Sequence, residues 1–409
     1  MSKKSAYLFV SNPQNVEKHS FFPFIEFDIS TRRYRTEYVM IDGKKLKRRK
    51  ISEPKIRPIK LSSHKDGYIY AYYGKMLSNL YENYVKNKDF SQNVIAYRPK
   101  MGTNYSNAVS AFDFILEVGP SRIYTLDISS FFENIDHRVL KENWKTILGS
   151  DHLPDDHYKI FRSLTKNSKI RLESLTKILN LEMDDVLRGK VGRLCSPSEF
   201  REKIRNSEPN VMVSNYNGFG IPQGSAMSSV LSNIYMINFD IEMSRFCSIN
   251  GIFYRRYCDD IIFVQKNESG IDIIDEVKKN LTLAGDRLQI KDEKTGRYFF
   301  DGLKVHNGPV QYLGLTFDGK NIRIRNTSLA KFHRKMRAAV GYRKFKAHKR
   351  VGELNGVLLL RSLYRKYSWK KDSMSFHGYV GKVHASTTLS SVKEQTRKNQ
   401  KQLEKLIKS

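Results

Sequence analysis

The most constraining feature of the sequence is a pair of adjacent aspartates, Asp259 and Asp260, that lies between two apolar runs. The runs are 252–257 and 261–264, and their β-branched and aromatic residues predict a β-hairpin whose turn carries both carboxylates. Like charges at such a turn repel each other, and burial increases the cost. A divalent cation would remove that cost, because hard oxygen ligands suit Mg²⁺ or Mn²⁺. An Asp-Asp pair is also common in ordinary turns, so the pair alone leaves a structural role open.

A third carboxylate is expected at another strand end, since Mg²⁺ uses only one or two protein carboxylates together with water and phosphate oxygens. Asp127 directly follows the apolar run 123–126, which comes after a Gly-Pro turn and predicts a strand. Three such carboxylates can hold two metal ions roughly 3.5 to 4 Å apart. The residues therefore fit in-line phosphoryl transfer, in which positioning and electrostatics supply most of the catalysis.

The charge of the chain restricts the partners that it can bind. Lys and Arg number 72 against 42 Asp and Glu, which gives a formal net charge of +30. Such a surface repels itself unless an anionic partner covers it, and nucleic acid is the first candidate. A membrane is disfavoured, because no apolar run approaches the roughly 18 to 20 residues of a spanning helix and the N-terminus lacks a signal-peptide core. We therefore expect a cytoplasmic protein with no membrane association.

The remaining pattern predicts alternating helices and strands. A basic run at 44–50, followed by 55–59, is typical either of a phosphate-facing strand or loop or of a solvated arm. The polar segment 168–212, with one helical stretch near 171–187, is interpreted as an insertion or finger-like extension. Apolar residues at helical spacing predict further helices, and an apolar run around a glycine predicts a further strand. These are helices at 67–86, 104–118, 228–246 and 271–284, a basic helical tail beyond 326, and a strand at 310–317.

Four segments in fixed order resemble the consecutive palm motifs of reverse transcriptases. The resemblance extends over about 200 residues and implies an α+β, right-hand polymerase with fingers, an RRM-like palm built on an antiparallel sheet, and a helical thumb. The N-terminal region and fingers would be 1–122, the palm 123–325 with an insertion at about 168–212, and the basic helical thumb and C-terminal tail 326–409. The four segments are LDISSFF (126–132), GIPQGS (220–225), YCDD (257–260) and YLGL (312–315).

The resemblance also implies a catalytic centre. Asp127 and Asp259 would be the principal ligands of two Mg²⁺ ions, or of Mn²⁺, and Asp260 would complete the acidic cluster. Lys294 matches the position of a lysine that protonates the leaving pyrophosphate as a general acid. A solvated surface lysine is the alternative interpretation of Lys294.

Further residues resemble those that contact a dNTP. Phe132 falls where the family keeps an aromatic steric gate, whose ring meets a ribose 2′-hydroxyl and so favours deoxynucleotides; a core phenylalanine is the alternative. Gln223, with Gly224 beside it, would lie against the incoming nucleotide and the templating pair. Arg57 and Arg98 resemble fingers residues that grip the template or the triphosphate, where arginine offers bidentate contact.

The extent of the chain predicts which kind of reverse transcriptase it resembles. The segment 312–317 resembles the primer-grip hairpin of the family. Only about 90 residues follow it, which leaves room for a thumb, so we expect neither a viral polyprotein product nor an intact mobile-intron protein. The segments 57–73 and 94–98, and the YCDD form of the turn, are similar to those of bacterial defence-associated reverse transcriptases of a class-2-like group. That subgroup implies a non-coding RNA as template, an RNA–DNA duplex as product and a role in stopping phage.

Several alternatives remain open. Retron reverse transcriptases are close, although many of them carry a Val-Thr-Gly motif that is not convincing near 300–330. A template-independent DNA polymerase of the abortive-infection type shares the palm motifs. An RNA-dependent RNA polymerase is disfavoured by Phe132, and a non-catalytic RNA-binding scaffold is disfavoured because all three aspartates are present.

Overall fold

The computed structural model describes residues 2–41, 44–266, 270–349, 360–369 and 375–409. Helices and largely antiparallel sheets alternate along the chain, so the predicted α+β class is confirmed. The helices are α1 (Lys3–Val10), α2 (Pro13–Glu17), α3 (His64–Val85), α4 (Asn104–Val118), α5 (His137–Leu148), α6 (Asp155–Thr165), α7 (Leu172–Ile178), α8 (Met183–Leu187), α9 (Pro197–Glu199), α10 (Ser228–Tyr235), α11 (Ile237–Ile249), α12 (Ile273–Leu281), α13 (Asn326–Lys349), α14 (Arg361–Tyr367), α15 (Phe376–Ala385), α16 (Val392–Thr396) and α17 (Asn399–Lys408).

The strands form three sheets within the described ranges, with the orders β2-β1-β4-β5, β6-β7-β3-β8-β9 and β10-β11-β12. Short 3₁₀ turns lie at Asp89–Gln92, Phe131–Glu133, Thr282–Ala284 and Asp292–Lys294, and a π-helical turn lies at Phe200–Arg205. The strands are β1 (Phe24–Ile41), β2 (Lys44–Leu61), β3 (Ser121–Asp127), β4 (Ser168–Arg171), β5 (Met212–Ser214), β6 (Phe253–Tyr257), β7 (Asp260–Lys266), β8 (Gly296–Phe300), β9 (Val305–His306), β10 (Val310–Tyr312), β11 (Leu315–Phe317) and β12 (Ile322–Ile324).

The described residues fall into two compact units that interleave in sequence. The first unit comprises those within 1–88, 130–239 and 281–288. The second unit comprises those within 89–129, 240–280 and 289–409. The three-part division predicted from the sequence stays a prediction, and the predicted thumb at 326–409 includes 350–359 and 370–374, which lie outside the described residues.

A long two-stranded ribbon dominates the sheet of the first unit. Strands β1 and β2 have 18 residues each and pair antiparallel along their length. At its base, β1 pairs in parallel with β4, which in turn pairs with β5. The segment predicted as an insertion, 168–212, therefore contributes strands to this sheet. It also has a small core of its own, formed by Ile170, Leu175 and Ile204.

Helix α3 confirms the helix predicted at 67–86. It begins after Ser63, whose side chain accepts a hydrogen bond from the backbone N–H of Asp66, which satisfies one of the unpaired donors of the first turn. Its apolar stripe, which includes Ile69 and Leu77, is buried and belongs to the core. The predicted helix at 228–246 is instead two helices, α10 and α11, because the chain breaks at Met236.

The five-stranded sheet of the second unit is organised around two apolar strands, β3 and β7, and β7 is buried on both faces from Ile261 to Gln265. Strand β3 is central, pairing antiparallel with β7 on one side and β8 on the other. Ile123, Ile262 and Val264 pack into a core shared with α4 and with the three-stranded sheet. The hairpin predicted within 310–317 is confirmed as β10 and β11, and Gly314 in its turn has a φ of +89°, which favours glycine.

The C-terminal helices pack on a core of their own, formed by Phe332, Met336, Val340, Leu363, Tyr367 and Leu403. Helix α13 confirms the basic helical segment predicted beyond 326. Across the parts of the chain that are described, no helix is long and apolar enough to cross a membrane.

Candidate active site

The predicted hairpin with two carboxylates at its turn is confirmed. Strands β6 and β7 pair from Phe253–Val264 to Tyr257–Asp260, and Cys258 and Asp259 form the connection. Cys258 has a φ of +57°, in the left-handed region that side chains rarely adopt. The unfavourable conformation of the turn is therefore at Cys258, directly before Asp259, and the surrounding sheet must stabilise it.

Asp127 ends β3 directly beside this turn. In the register of β3 and β7, Asp127 lies opposite Asp260. The backbone N–H of Ile128 donates to the carbonyl of Asp259 at 3.1 Å. Opposite residues of antiparallel strands have Cβ atoms about 4.5–5.5 Å apart, so three carboxylates meet at one end of the sheet. A strand end and a hairpin turn, far apart in sequence, thus form one acidic cluster.

The three charges change one another's acidity. Burial, followed by the charges of Asp259 and Asp127, raises the pKa of Asp260 to about 7. Burial and the charge of Asp127 also raise the pKa of Asp259. Like charges in a partly desolvated place favour the protonated form, and such shifts concentrate at functional sites. The cluster is therefore poised to accept a cation.

Lys294 supplies one cation to the cluster. Its Nζ forms an ion pair with Oδ2 of Asp127, and the side chains are 35% and 25% exposed. The segment before it is held against the end of β3, because the N–H of Lys291 donates to the carbonyl of Asp127 at 3.1 Å. The N–H of Ser129 likewise donates to the carbonyl of Gln289 at 2.7 Å. The structure thus brings together the four residues that the sequence predicts at the catalytic centre.

The oxygen donors of the acidic cluster are of the kind that bind a hard divalent cation. No group of three or more His, Cys, Asp or Glu side chains in the described ranges is arranged to hold an ion by itself. A hard cation such as Mg²⁺ needs only one or two protein carboxylates, with water and substrate oxygens as its other ligands. Asp127, Asp259 and Asp260 offer oxygen donors whose mutual repulsion a cation would relieve. The residues fit Mg²⁺ by their chemistry.

A buried ion pair supports the turn from behind. The Arg256 side chain donates from Nε to Oδ1 of Asp240 at 2.7 Å and from Nη1 to the carbonyl of Cys258 at 3.0 Å. Tyr254 donates its hydroxyl to the same Asp240 oxygen at 2.7 Å. Sequence reasoning missed this pair. The sequence feature that could have revealed the pair is a charged residue within each of two apolar patterns, Arg256 in the hairpin and Asp240 in helix α11.

Arg98, in the second unit, is buried and hydrogen-bonded to neighbouring residues of its own segment. It is 7% exposed, and its guanidinium donates to the carbonyl of Val94 at 2.9 Å and to the hydroxyl of Ser91 at 3.2 Å. Val94 in turn forms a bridge with Arg256 of β6. The prediction that Arg98 grips a triphosphate therefore conflicts with its burial, because its donors are engaged by the segment that packs beside the hairpin.

Phe132 lies in the first unit, beside the GIPQGS segment. Its carbonyl accepts a hydrogen bond from the N–H of Ile221 at 2.9 Å, and its ring is half-buried with an edge contact to Phe131. Gly220 has a φ of +87°, and a Cβ there would lie 2.9 Å from the carbonyl oxygen of Glu133. The glycine therefore allows the loop to approach the chain that carries Phe132.

The same loop contacts strand β2. The carbonyl of Gln223 accepts a hydrogen bond from the N–H of Lys60 at 3.0 Å. Gly224 has a φ of +115°, and a Cβ there would lie 2.9 Å from the carbonyl oxygen of Lys60. Arg57 is exposed on the same strand, three residues before Lys60. The first unit thus brings together the predicted nucleotide contacts Phe132, Gln223, Gly224 and the strand of Arg57.

Comparison with known proteins gives a partial match. Residues 193–317 match the family model described as "Reverse transcriptase (RNA-dependent DNA polymerase)". Over 100 residues the chain is 36% identical to the Retron Ec83 reverse transcriptase of Escherichia coli, which covers 24% of this chain and 30% of that protein. The chain thus matches less than a third of the length of this curated relative.

Solved structures of telomerase also resemble the chain. Apo telomerase from Candida tropicalis, truncated from its C-terminal domain, is 14% identical with a TM-score of 0.40, covering 71% of this chain and 55% of that one. Telomerase from Candida albicans, in complex with a TWJ fragment of telomeric RNA, is 10% identical with a TM-score of 0.39, covering 97% and 61%. The family-model match covers Asp259, Asp260 and Lys294, so it associates the segment that carries them with reverse transcriptases.

Proposed function

We propose that the protein is an RNA-directed DNA polymerase. The observation that carries the proposal is the register of β3 and β7, which places Asp127 opposite Asp260 and beside Asp259. Two of these three carboxylates lie within the segment that matches the reverse transcriptase family model. An acidic cluster at a strand end and a hairpin turn suits phosphoryl transfer, because the charge of that reaction accumulates on phosphate oxygens.

Four residues of the second unit would act in catalysis, three as metal ligands and one as a proton donor. Asp127 and Asp259, with Asp260, would hold two Mg²⁺ or Mn²⁺ ions. When bound, the ions lower the pKa of a primer 3′-hydroxyl and stabilise the charge of the leaving pyrophosphate. Lys294 holds protons at Nζ beside Asp127, where an ammonium can serve as general acid toward the leaving group.

Residues on and beside the GIPQGS loop (220–225) would contact the incoming dNTP. Phe132 lies beside the loop that contains Gln223, because the N–H of Ile221 donates to the carbonyl of Phe132. The carbonyl of Gln223 accepts a hydrogen bond from the N–H of Lys60. The half-buried ring of Phe132 would meet a ribose 2′-hydroxyl and exclude ribonucleotides. Gly224 lets the loop pass close to strand β2, on which Arg57 is exposed to reach a template or triphosphate.

Helix α13 would bind the RNA–DNA duplex. One side of the helix is buried through Phe332, Met336 and Val340. Exposed cations lie on the remainder of its surface, so the helix presents positive charge without base-reading specificity. Contacts of this kind bind phosphates of any sequence and weaken with salt. The exposed cations are Lys331, Arg334, Lys335, Arg337 and Lys346.

The template would be an associated non-coding RNA that is copied into cDNA during antiphage defence. The resemblance of segments 57–73 and 94–98 to defence-associated reverse transcriptases supports this role. A retron-type enzyme is the second candidate, because the chain is similar to the Retron Ec83 reverse transcriptase over 100 residues. Both candidates predict a structured RNA bound to the protein in cells.

A primer-extension assay tests the proposal directly. Protein purified with its bound RNA, Mg²⁺ and labelled dNTPs should yield DNA, and RNase pretreatment should prevent it. The Asp259→Ala, Asp260→Ala double variant should yield none, whereas the matched Asp272→Ala, Asp275→Ala variant on the exposed start of α12 should remain active. Equal product from the cluster variant would overturn the metal assignment.

The same assay separates the alternatives. DNA that persists after RNase treatment would indicate a template-independent polymerase. RNA binding without any DNA product would indicate a non-catalytic scaffold. Sequencing the bound RNA and the DNA product would identify the template and show whether the DNA is a copy of that RNA.

A further inference from the structure

The five-stranded sheet carries alternating cations and aromatic rings on strands β3 and β8. In the register of these strands, Arg122 lies opposite Phe299 and Tyr124 lies opposite Arg297. Opposite residues of antiparallel strands point to the same face of the sheet. The four side chains therefore form one surface, which we call the β3–β8 patch.

The β3–β8 patch lies on the face of the sheet opposite to Asp127. Side chains alternate between the two faces along a strand, so Arg122 and Tyr124 share one face of β3 while Asp127 points to the other. The patch face is covered over β7, where Phe263 and Gln265 are buried. Over β8 the same face is accessible. A ligand can therefore reach the patch without approaching the acidic cluster.

A shallow cavity of about 310 Å³ lies over the patch. Arg122 and Arg297 are exposed beside it, whereas the rings of Tyr124 and Phe299 are half-buried. Half-buried rings are held in place by their neighbours, so little conformational entropy is lost when a ligand stacks on them. None of the lining residues is acidic; they are the four patch residues with Tyr298 and Asn307.

The chemistry of the patch suits an unpaired polynucleotide strand. Arginine binds phosphate oxygens through bidentate contacts, and aromatic rings stack on the faces of bases. In a duplex those base faces are already stacked, so the rings favour a single strand. The net charge of +30 adds attraction for any polyanion. We propose that the β3–β8 patch is a second nucleic-acid site, which binds a single strand on the face opposite to the proposed catalytic cluster.

Binding of labelled twelve-nucleotide single strands, measured by fluorescence polarisation at several salt concentrations without dNTPs, tests the proposal. Arg122→Ala with Arg297→Ala should weaken binding about tenfold and reduce the salt slope by about 0.7 for each lost phosphate contact. Tyr124→Ala should weaken binding about fivefold to tenfold with no change in slope, because stacking is not ionic. The assay is carried out with RNA strands and with DNA strands, and the comparison shows which of the two polynucleotides the patch prefers.

A matched control removes equal charge elsewhere in the second unit. Lys278→Ala with Lys279→Ala on α12 deletes two exposed lysines that are 3.6 Å from Asp292 and 3.8 Å from Glu276. This control should bind strands as the wild type does. If it weakens binding as much as the arginine variant, the effect is one of general charge and the proposal is wrong. Unchanged binding by the arginine variant and by Tyr124→Ala would also overturn it.

Three further measurements test the proposal. A strand containing 4-thiouridine, photo-crosslinked to wild-type protein, should attach to peptides that carry Tyr124 or Phe299. Attachment only elsewhere would overturn the proposal, and this test does not depend on the folding of a variant.

The arginine variant should extend a pre-annealed short duplex at the same rate as the wild type. If the extension rate falls as much as the strand affinity does, the two arginines act in catalysis and the proposal is wrong. A polyglutamate peptide that displaces the strand at equal charge concentration would instead indicate an acidic protein partner and would also overturn it.

Discussion

Arg256 and Asp240 form an ion pair in which neither side chain is exposed, directly behind the turn that carries Asp259. The guanidinium also donates to the carbonyl of Cys258, the residue with a φ of +57°. The pair therefore connects helix α11 to the backbone of the acidic turn. Its geometry explains how a rarely adopted backbone conformation persists there.

Replacing Asp240 with Ala should destabilise the protein strongly. The change leaves the charge of Arg256 buried and unpaired, which costs about 3–5 kcal/mol in the free energy of unfolding. Urea denaturation followed by circular dichroism measures the change. The Glu242→Ala variant is the matched control, because Glu242 pairs with Arg245 at the exposed surface of the same helix and should cost under about 1 kcal/mol. Equal losses in both variants would contradict this account.

Replacing both partners separates stability from positioning. Asp240→Leu with Arg256→Met removes both charges, so much of the lost stability should return. The carbonyl of Cys258 would still lack its donor from Nη1. DNA synthesis should therefore remain low in the double variant although it folds. Full activity with full stability would show that the turn needs no support from Arg256.

Lys294→Met should strengthen the binding of Mn²⁺ while slowing DNA synthesis. The ammonium of Lys294 pairs with Asp127 and competes with a metal for that carboxylate. A partly exposed ion pair contributes at most about 1 kcal/mol, so the affinity for Mn²⁺ should rise by up to about fivefold. The signal of free Mn²⁺ in electron paramagnetic resonance measures binding. Lys278→Met, at a lysine 3.6 Å from Asp292, is the matched control and should bind Mn²⁺ as the wild type does.

Local patterns in the sequence predict most of the elements near the candidate site. The runs of apolar, β-branched and aromatic residues on both sides of Asp259 and Asp260 predict their hairpin, and the run before Asp127 predicts β3. These patterns depend on neighbours in the chain. That Asp127 lies opposite Asp260 depends instead on the pairing of β3 with β7, which only the resemblance to a family suggested.

Features that depend on tertiary packing were not predicted. The helix predicted at 228–246 breaks at Met236. Beside the break, the carbonyl of Tyr235 accepts a hydrogen bond at 2.9 Å from the side chain of Asn143, which lies 92 positions earlier in the sequence. Arg98 is indistinguishable in sequence from an exposed cation, yet its donors are used by buried partners of its own segment. The spacing of apolar residues gives no information on these hydrogen-bond partners, since they lie far away in sequence or in segments without regular secondary structure.

Phe132→Ala should relax the selection of the sugar. Loss of the ring would leave room for a ribose 2′-hydroxyl, so kcat/KM for ribonucleotides relative to deoxynucleotides should rise roughly tenfold or more. Single-nucleotide incorporation with each triphosphate measures the ratio. Phe132→Tyr keeps the ring and should keep the selectivity. Unchanged selectivity in Phe132→Ala would indicate that Phe132 is only a core residue beside Phe131.

His377 should make the C-terminal helices sensitive to acid. It is 3% exposed, its ring lies 4.7 Å from that of Trp369, and burial lowers its pKa to about 4. Because the unfolded chain binds the proton near pH 6.5, stability is fully present above that pH and is lost as the pH falls toward 4. Between pH 7 and 5 the free energy of unfolding should decrease by up to about 2 kcal/mol from this residue.

The His377→Gln variant isolates that contribution from the other histidines, because burial also lowers the pKa of His137 and of His157. Glutamine keeps an amide that can bind Asn399, which lies 3.4 Å from Nε2 of His377. Urea denaturation of both proteins at pH 7 and pH 5 gives the comparison. The variant should lose less stability on acidification than the wild type, since one buried group no longer gains a proton on unfolding. An identical loss in the two proteins would mean that His377 is already protonated or already accessible in the folded state.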